Sequence, residues 1–279
     1  MIELSSSNES LCQFLTNCDP VDIHTFILFL KSRFSKKSLD ITNRFDTVSK
    51  IPKTNSKARK ELSQELVDLL GWYGSNAIAF LYRRTTKDKG SKAYLPILKD
   101  VVKIVNKKLP RKERKKIPLV AGTSDYEQII VEIFLNMRFH KKSQEEIAQI
   151  LKENGLTEKA AIEIAKKYGS VGLSGAALPA LMKFLGKKTV MNIINEMIIV
   201  FVGKFIGKEA AKQMAKRLAY KLTQKTLTRF ISIIGWLLLA GDALFFAVSP
   251  ARRITIKVVP FISLLRTREL YSEGESDEN

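Results

Sequence analysis

Two rows of basic side chains have the types and spacing to do chemistry. Lys204, Lys208, Lys212 and Lys216 recur at every fourth residue, and Arg217, Lys221, Lys225 and Arg229 form a second row at the same interval. On a helix, that interval stacks each row along one face. The chemistry is ion pairing and hydrogen bonding to anionic oxygen, with lipid phosphate as the best match, and no bond is made or broken. Phe205, Ile206, Met214, Leu218, Leu222 and Leu227 lie between the charges. A helix with one Lys/Arg face and one apolar face is the type that lies in a membrane interface. Residues 183–229 hold eleven Lys/Arg against two acidic residues. Each basic group close to an anionic leaflet contributes about 1 kcal/mol of attraction.

The basic rows adjoin two apolar stretches. Residues 230–248, FISIIGWLLLAGDALFFAV, are nineteen in number, close to the ~20 that span a bilayer. Their eleven Phe, Ile, Leu and Val residues contribute roughly −3 to −6 kcal/mol on an insertion scale, and Asp242 costs about +3. Gly235, Gly241 and Ser232 add nothing favourable. Insertion is therefore marginal, and the segment reads as conditional: buried in one state, lipid-facing in another. A central core helix of a soluble bundle fits it almost equally well. Residues 190–205 are the second stretch. The side chains expected to enter the membrane are Ile198, Ile199 and Phe201 from the second stretch, with Phe230, Ile233, Trp236, Leu238, Phe245 and Phe246 from the first. Arg252 and Arg253 follow, placed to hold the far end at the interface by snorkelling.

Groups for bond-making chemistry are sparse. Cys12 and Cys18 are the two cysteines, and six residues apart they lack the paired spacing of a zinc site. They read as reduced helix residues. His24 and His140 are the two histidines. There is no phosphate-binding loop, no nucleophile elbow and no His-Glu or Cys-Cys metal spacing. Glu145 and Glu146 sit at a solvated helix start without a nearby histidine. The expectation is a non-enzymatic protein with no metal and no cofactor.

The surrounding composition frames these residues. The chain has 279 residues, 45% of them apolar, and a formal charge of +19. It has apolar content for a real core, and its charge suits an anionic membrane, a nucleic acid or an acidic protein. Direct nucleic-acid binding is the poorest fit, because the phenylalanines sit inside apolar runs rather than where bases could stack on them. Residues 1–10 are polar and acidic without a basic stretch leading into an apolar run, so no signal peptide is read, and a cytoplasmic location with recruitment to the inner face of the cell membrane is expected.

The apolar periodicity predicts helices throughout, an all-α fold. Residues 1–120 read as an N-terminal helical, partner-binding domain, with Asp19-Pro20 as a helix start, a polar basic stretch over 31–60 with a loop at its far end, and helices over 59–84 and 94–109. Residues 124–169 read as a small helical connector, with capping boxes at Ser124/Glu127 and Ser143/Glu146. Residues 170–270 form the apolar, cationic C-terminal region. Within it 204–229 reads as one helix, 254–259 as an extended β-branched run, and Pro260 as the start of a last helix. Residues 271–279 read as an acidic disordered tail.

Five stretches carry a resemblance: residues 11–26 (LCQFLTNCDPVDIHTF), 65–81 (ELVDLLGWYGSNAIAFL), 94–109 (YLPILKDVVKIVNKKL), 178–185 (LPALMKFL) and 249–266 (SPARRITIKVVPFISLLR). On these the chain resembles the bacterial YaaW family, grouped with ubiquinol–cytochrome c chaperone-like proteins. It departs from that pattern in being longer, more basic and supplied with the helices of 143–168. The resemblance implies a helical, protein-binding N-terminal half and carries over no catalytic residue. In build alone the chain is also similar to membrane effectors of prokaryotic immune systems, including those paired with short Argonautes. The reading that joins these features is an effector of anti-phage defence that binds anionic phospholipid and conditionally inserts apolar helices, permeabilising or depolarising the membrane. Its expected partners are the lipids, a regulatory protein such as an Argonaute-type sensor complex, and further copies of itself. An assembly chaperone or adaptor is the alternative, and a nucleic-acid binder the second.

Overall fold

The computed structural model describes residues 2–30, 56–74, 93–118, 121–219 and 250–272. Every regular element among them is helical, as the periodicity predicts. In chain order these are α1 (Ile2–Asn17), α2 (Pro20–Leu30), α3 (Ser56–Tyr73), α4 (Tyr94–Lys108), a 3-10 turn (Arg111–Glu113), α5 (Thr123–Phe139), α6 (Gln144–Glu153), α7 (Glu158–Gly175), α8 (Leu178–Leu185), α9 (Lys187–Phe205), α10 (Lys208–Arg217) and α11 (Pro250–Ser272).

Local chemistry sets several of the ends. Pro20 opens α2, where a missing N–H costs nothing, and the Asp19 carboxylate accepts the Val21 N–H at 2.9 Å. Ser143 and Glu146 form the expected capping box at the start of α6: the Glu146 N–H donates to Ser143 Oγ and the Ser143 N–H to Glu146 Oε2. The box expected at Ser124/Glu127 does not form. Helix α5 begins two residues earlier, with Gly122 as its N-cap, and the Asp125 carboxylate instead accepts the Gly122 N–H at 2.8 Å. Glu127 is left to point into the core.

Two further expectations are corrected. The cationic stretch is not one helix: α9 ends at Phe205, and Gly207 turns the chain at φ +133° before α10 begins. Only a residue without a Cβ adopts that backbone cheaply. Helix α10 then stops after Arg217, with Ala219 at φ +49°. Second, residues 254–259 are not extended. They belong to α11, which continues through Pro260. Ile256, Val258 and Val259 are buried there, and burial outweighs the weak preference of β-branched residues for strands. Within that helix, the Ser263 hydroxyl donates to the Val259 carbonyl at 2.9 Å.

Helix α11 is central, packing against α2, α3, α4, α5 and α9. Val258, Val259, Phe261, Ile262, Leu264 and Leu265 are each almost fully buried. Helix α9 is apolar around most of its girth, as a helix enclosed by others must be. One contiguous cluster of buried side chains includes residues from 1–120, 124–169 and 170–270.

Buried polar ties fix how the helices meet. Arg138 of α5 lies 3.4 Å from Glu196 of α9, and Asn154, after α6, donates to the same carboxylate at 3.1 Å. The Asn192 amide donates to the Asn154 carbonyl at 3.0 Å. Glu132 of α5 accepts the Leu178 N–H at 2.9 Å, serving the start of α8. Lys115 reaches the same carboxylate at 3.5 Å and donates to the carbonyls of Gly175 and Ala176 at the end of α7.

Candidate membrane-docking helix and the ionic cluster beside it

Helix α10 divides by chemistry. Ala211, Met214 and Ala215 are buried, and the helix packs on α9 and α2. Lys208, Lys212 and Lys216 are exposed. The i+4 spacing of the sequence therefore becomes a cationic ridge, but a short one of three lysines. Lys212 shares its charge with Glu209 at 2.8 Å. Lys204 is half-buried on the preceding helix, beyond the turn at Gly207.

Arg217 is engaged by carboxylates of the protein itself. Its Nε lies 3.3 Å from Asp19 Oδ2, its Nη2 lies 3.3 Å from Asp22 Oδ2, and Glu269 of α11 is 4.0 Å away. Its charge is spent inside the protein, joining α10 to the start of α2 and to α11. Ile198, Ile199 and Phe201 are at most 1% exposed, in the core. Among the described residues no helix is long and apolar enough to cross a membrane. Arg252 and Arg253 fall in the first turn of α11. Lys221, Lys225, Arg229, Phe230, Ile233, Trp236, Leu238, Phe245 and Phe246 lie outside the described residues.

Asp22 is the most stressed carboxylate of the cluster. Burial raises its pKa from 3.8 to about 6, Arg217 opposes the rise, and Asp19 and Glu269 add to it. A carboxyl that holds its proton more tightly when folded stabilises the fold fully below its unfolded pKa. That contribution is lost as pH rises through the folded value. A shift of this size corresponds to about 3 kcal/mol. Asp22→Asn removes the titration. In metal-free buffer, the stability of the variant relative to the parent is expected to improve by up to about 3 kcal/mol between pH 4 and pH 7.5. Urea melts at both pH values check this, and a flat difference would refute the assignment.

Glu269 also lines a cleft of about 360 Å³ whose walls include Gln13, Asn17, Glu127, Arg266 and Thr267. Arg266 lies 3.3 Å from Glu127, donates to Ser10 Oγ at 2.8 Å and stands over the Phe14 ring at 5.3 Å. Burial pushes the Glu127 pKa up, while Arg266 and the Tyr94 hydroxyl, donating at 2.9 Å, pull it down. Among the described residues lining the cleft there is neither cysteine nor histidine. The trio of Arg266, Glu127 and Tyr94 ties α11, α5 and α4 together.

Sequence reasoning missed these partners. The available signal was an acidic residue set in an apolar run: Asp22 in PVDIHTFILFL and Glu196 in NIINEMIIVF. Such residues are rarely buried without a cation.

No family model, curated protein or solved structure matches the chain.

Proposed function

We propose that the protein is a non-enzymatic, membrane-associated effector that docks on anionic phospholipid through α10 and delivers the apolar residues 230–248 to the bilayer under control of a protein partner. The observation that carries this reading is the exposed ridge of Lys208, Lys212 and Lys216 on a helix whose other face is buried. Such a ridge can meet lipid phosphates without unfolding anything. At about 1 kcal/mol per lysine, three lysines raise surface affinity by roughly a hundredfold. In sequence, residues 220–229 lead from this helix to the chain's most apolar stretch. Docking would place that stretch at the interface, where its marginal insertion balance can be tipped.

Sedimentation with vesicles tests the reading. The parent is expected to pellet with phosphatidylglycerol-containing vesicles and to remain in solution with phosphatidylcholine alone. The triple variant K208Q/K212Q/K216Q is expected to lose about two orders of magnitude in affinity, and high salt should weaken binding of the parent. Leakage of an enclosed dye reports insertion. Indifference of the parent to anionic lipid would overturn the proposal and favour an assembly chaperone. Equal binding by the triple variant would move the docking site elsewhere.

A further inference from the structure

Cys18 stands directly after α1 at the start of the α1–α2 turn, Asp22 in the first turn of α2 and Glu269 near the end of α11. The Cys18 sulfur and one carboxylate oxygen from each of the others lie within 4.8 Å of one another. Donors bound to zinc at about 2.0–2.3 Å stand at roughly 3.3–3.8 Å from each other in a tetrahedron. Closing the remaining ångström takes side-chain rotation alone, since a thiol and a Glu carboxylate each swing about their χ angles.

A second observation concerns what Asp22 lacks. Its side chain is 1% exposed, and Arg217 engages only Oδ2. Oδ1 is buried and receives no hydrogen bond. A buried carboxylate oxygen without a donor carries a desolvation cost that nothing in the protein repays, and a cation would relieve it. Arg217 then acts as an outer partner of a ligating carboxylate, fixing its orientation through the other oxygen. With the thiolate, Asp19, Asp22 and Glu269 ionised, the cluster carries four negative charges, which the neighbouring guanidiniums of Arg217, Arg59 and Arg268 offset only in part before an ion binds.

We propose that Cys18, Asp22 and Glu269 form a binding site for a borderline-soft divalent cation of the zinc class. One sulfur and two oxygen donors select against magnesium and calcium, which take oxygen alone. Three protein donors leave a fourth position to an exchangeable group. The ion displaces the Cys18 thiol proton to solvent. Bound there, it staples the α1–α2 junction to α11. The site stands whether or not the chain meets a membrane.

Titration of the reduced, full-length chain with Cd²⁺ tests it, because a thiolate bound to cadmium gives an ultraviolet charge-transfer band. The band is expected to saturate at one equivalent, to vanish in Cys18→Ser and to survive in Cys12→Ser. Zn²⁺ should bleach it by competition. Glu269→Gln, at a partly exposed position, should weaken zinc binding by about tenfold or more. No saturable band in the parent, or a band that persists in Cys18→Ser, overturns the site and leaves the arginines as the counter-ions of the cluster.

Discussion

Arg138→Met is expected to cost the fold about 3–5 kcal/mol, the penalty for leaving one member of a buried ion pair alone. The Arg138 and Glu196 side chains are 6% and 2% exposed, and their charges meet at 3.4 Å. Burial already raises the Glu196 pKa, and Arg138 is the first influence that holds it down. Without the guanidinium, Glu196 must stay ionised at a desolvation cost or take up a proton at neutral pH. Adding Glu196→Gln should recover most of the loss, since the amide oxygen still accepts from Asn154, which donates to Glu196 at 3.1 Å. The double-mutant cycle is the measurement. A small single-variant effect, or a double variant as unstable as the single, would show that Asn154 and packing hold these helices together without the charges.

The pattern of what could be read in advance follows from the range of the interactions. Elements whose ends are set by neighbouring residues were legible: Pro20 at the start of α2, and Ser143 with Glu146 at the start of α6. So was the all-helical class, which rests on periodicity. Failures occurred where distant packing decides. Nothing in ITIKVV marks it as helix, and it becomes one because Val258 and Val259 are enclosed by other helices. Gly207 was available as a break in the cationic row, but a glycine inside an amphipathic pattern is often tolerated. The candidate site divides the same way. Spacing identified the exposed Lys208, Lys212 and Lys216. Arg217 has the same local credentials, yet its partner Asp22 is 195 positions away. The Cys18, Asp22 and Glu269 grouping is invisible for the same reason: Cys18 and Asp22 are separated by a turn, and Glu269 comes from the opposite end of the chain.

Phe201→Ala is the second large effect, and it bears directly on the membrane reading. The Phe201 ring is 1% exposed. It stands 5.7 Å from Phe29, 5.9 Å from Phe134 and 4.7 Å from Phe205, centroid to centroid. Truncation removes the ring and leaves a cavity between α9, α2 and α5, with a cost of about 3–5 kcal/mol in solution. A residue that waits on a lipid-facing surface would cost far less, because its ring would already be in water. The same substitution separates two routes to the bilayer. If α9 leaves the core to insert, loosening it should raise vesicle leakage at concentrations where the parent is silent. If only residues 230–248 insert, Phe201→Ala should lower stability without changing leakage per bound molecule. The buried state of Ile198, Ile199 and Phe201 favours the second outcome: releasing α9 would expose these side chains at about 1.5–3 kcal/mol each before any lipid contact could compensate. Chemical denaturation and dye release on one preparation of the variant supply both numbers.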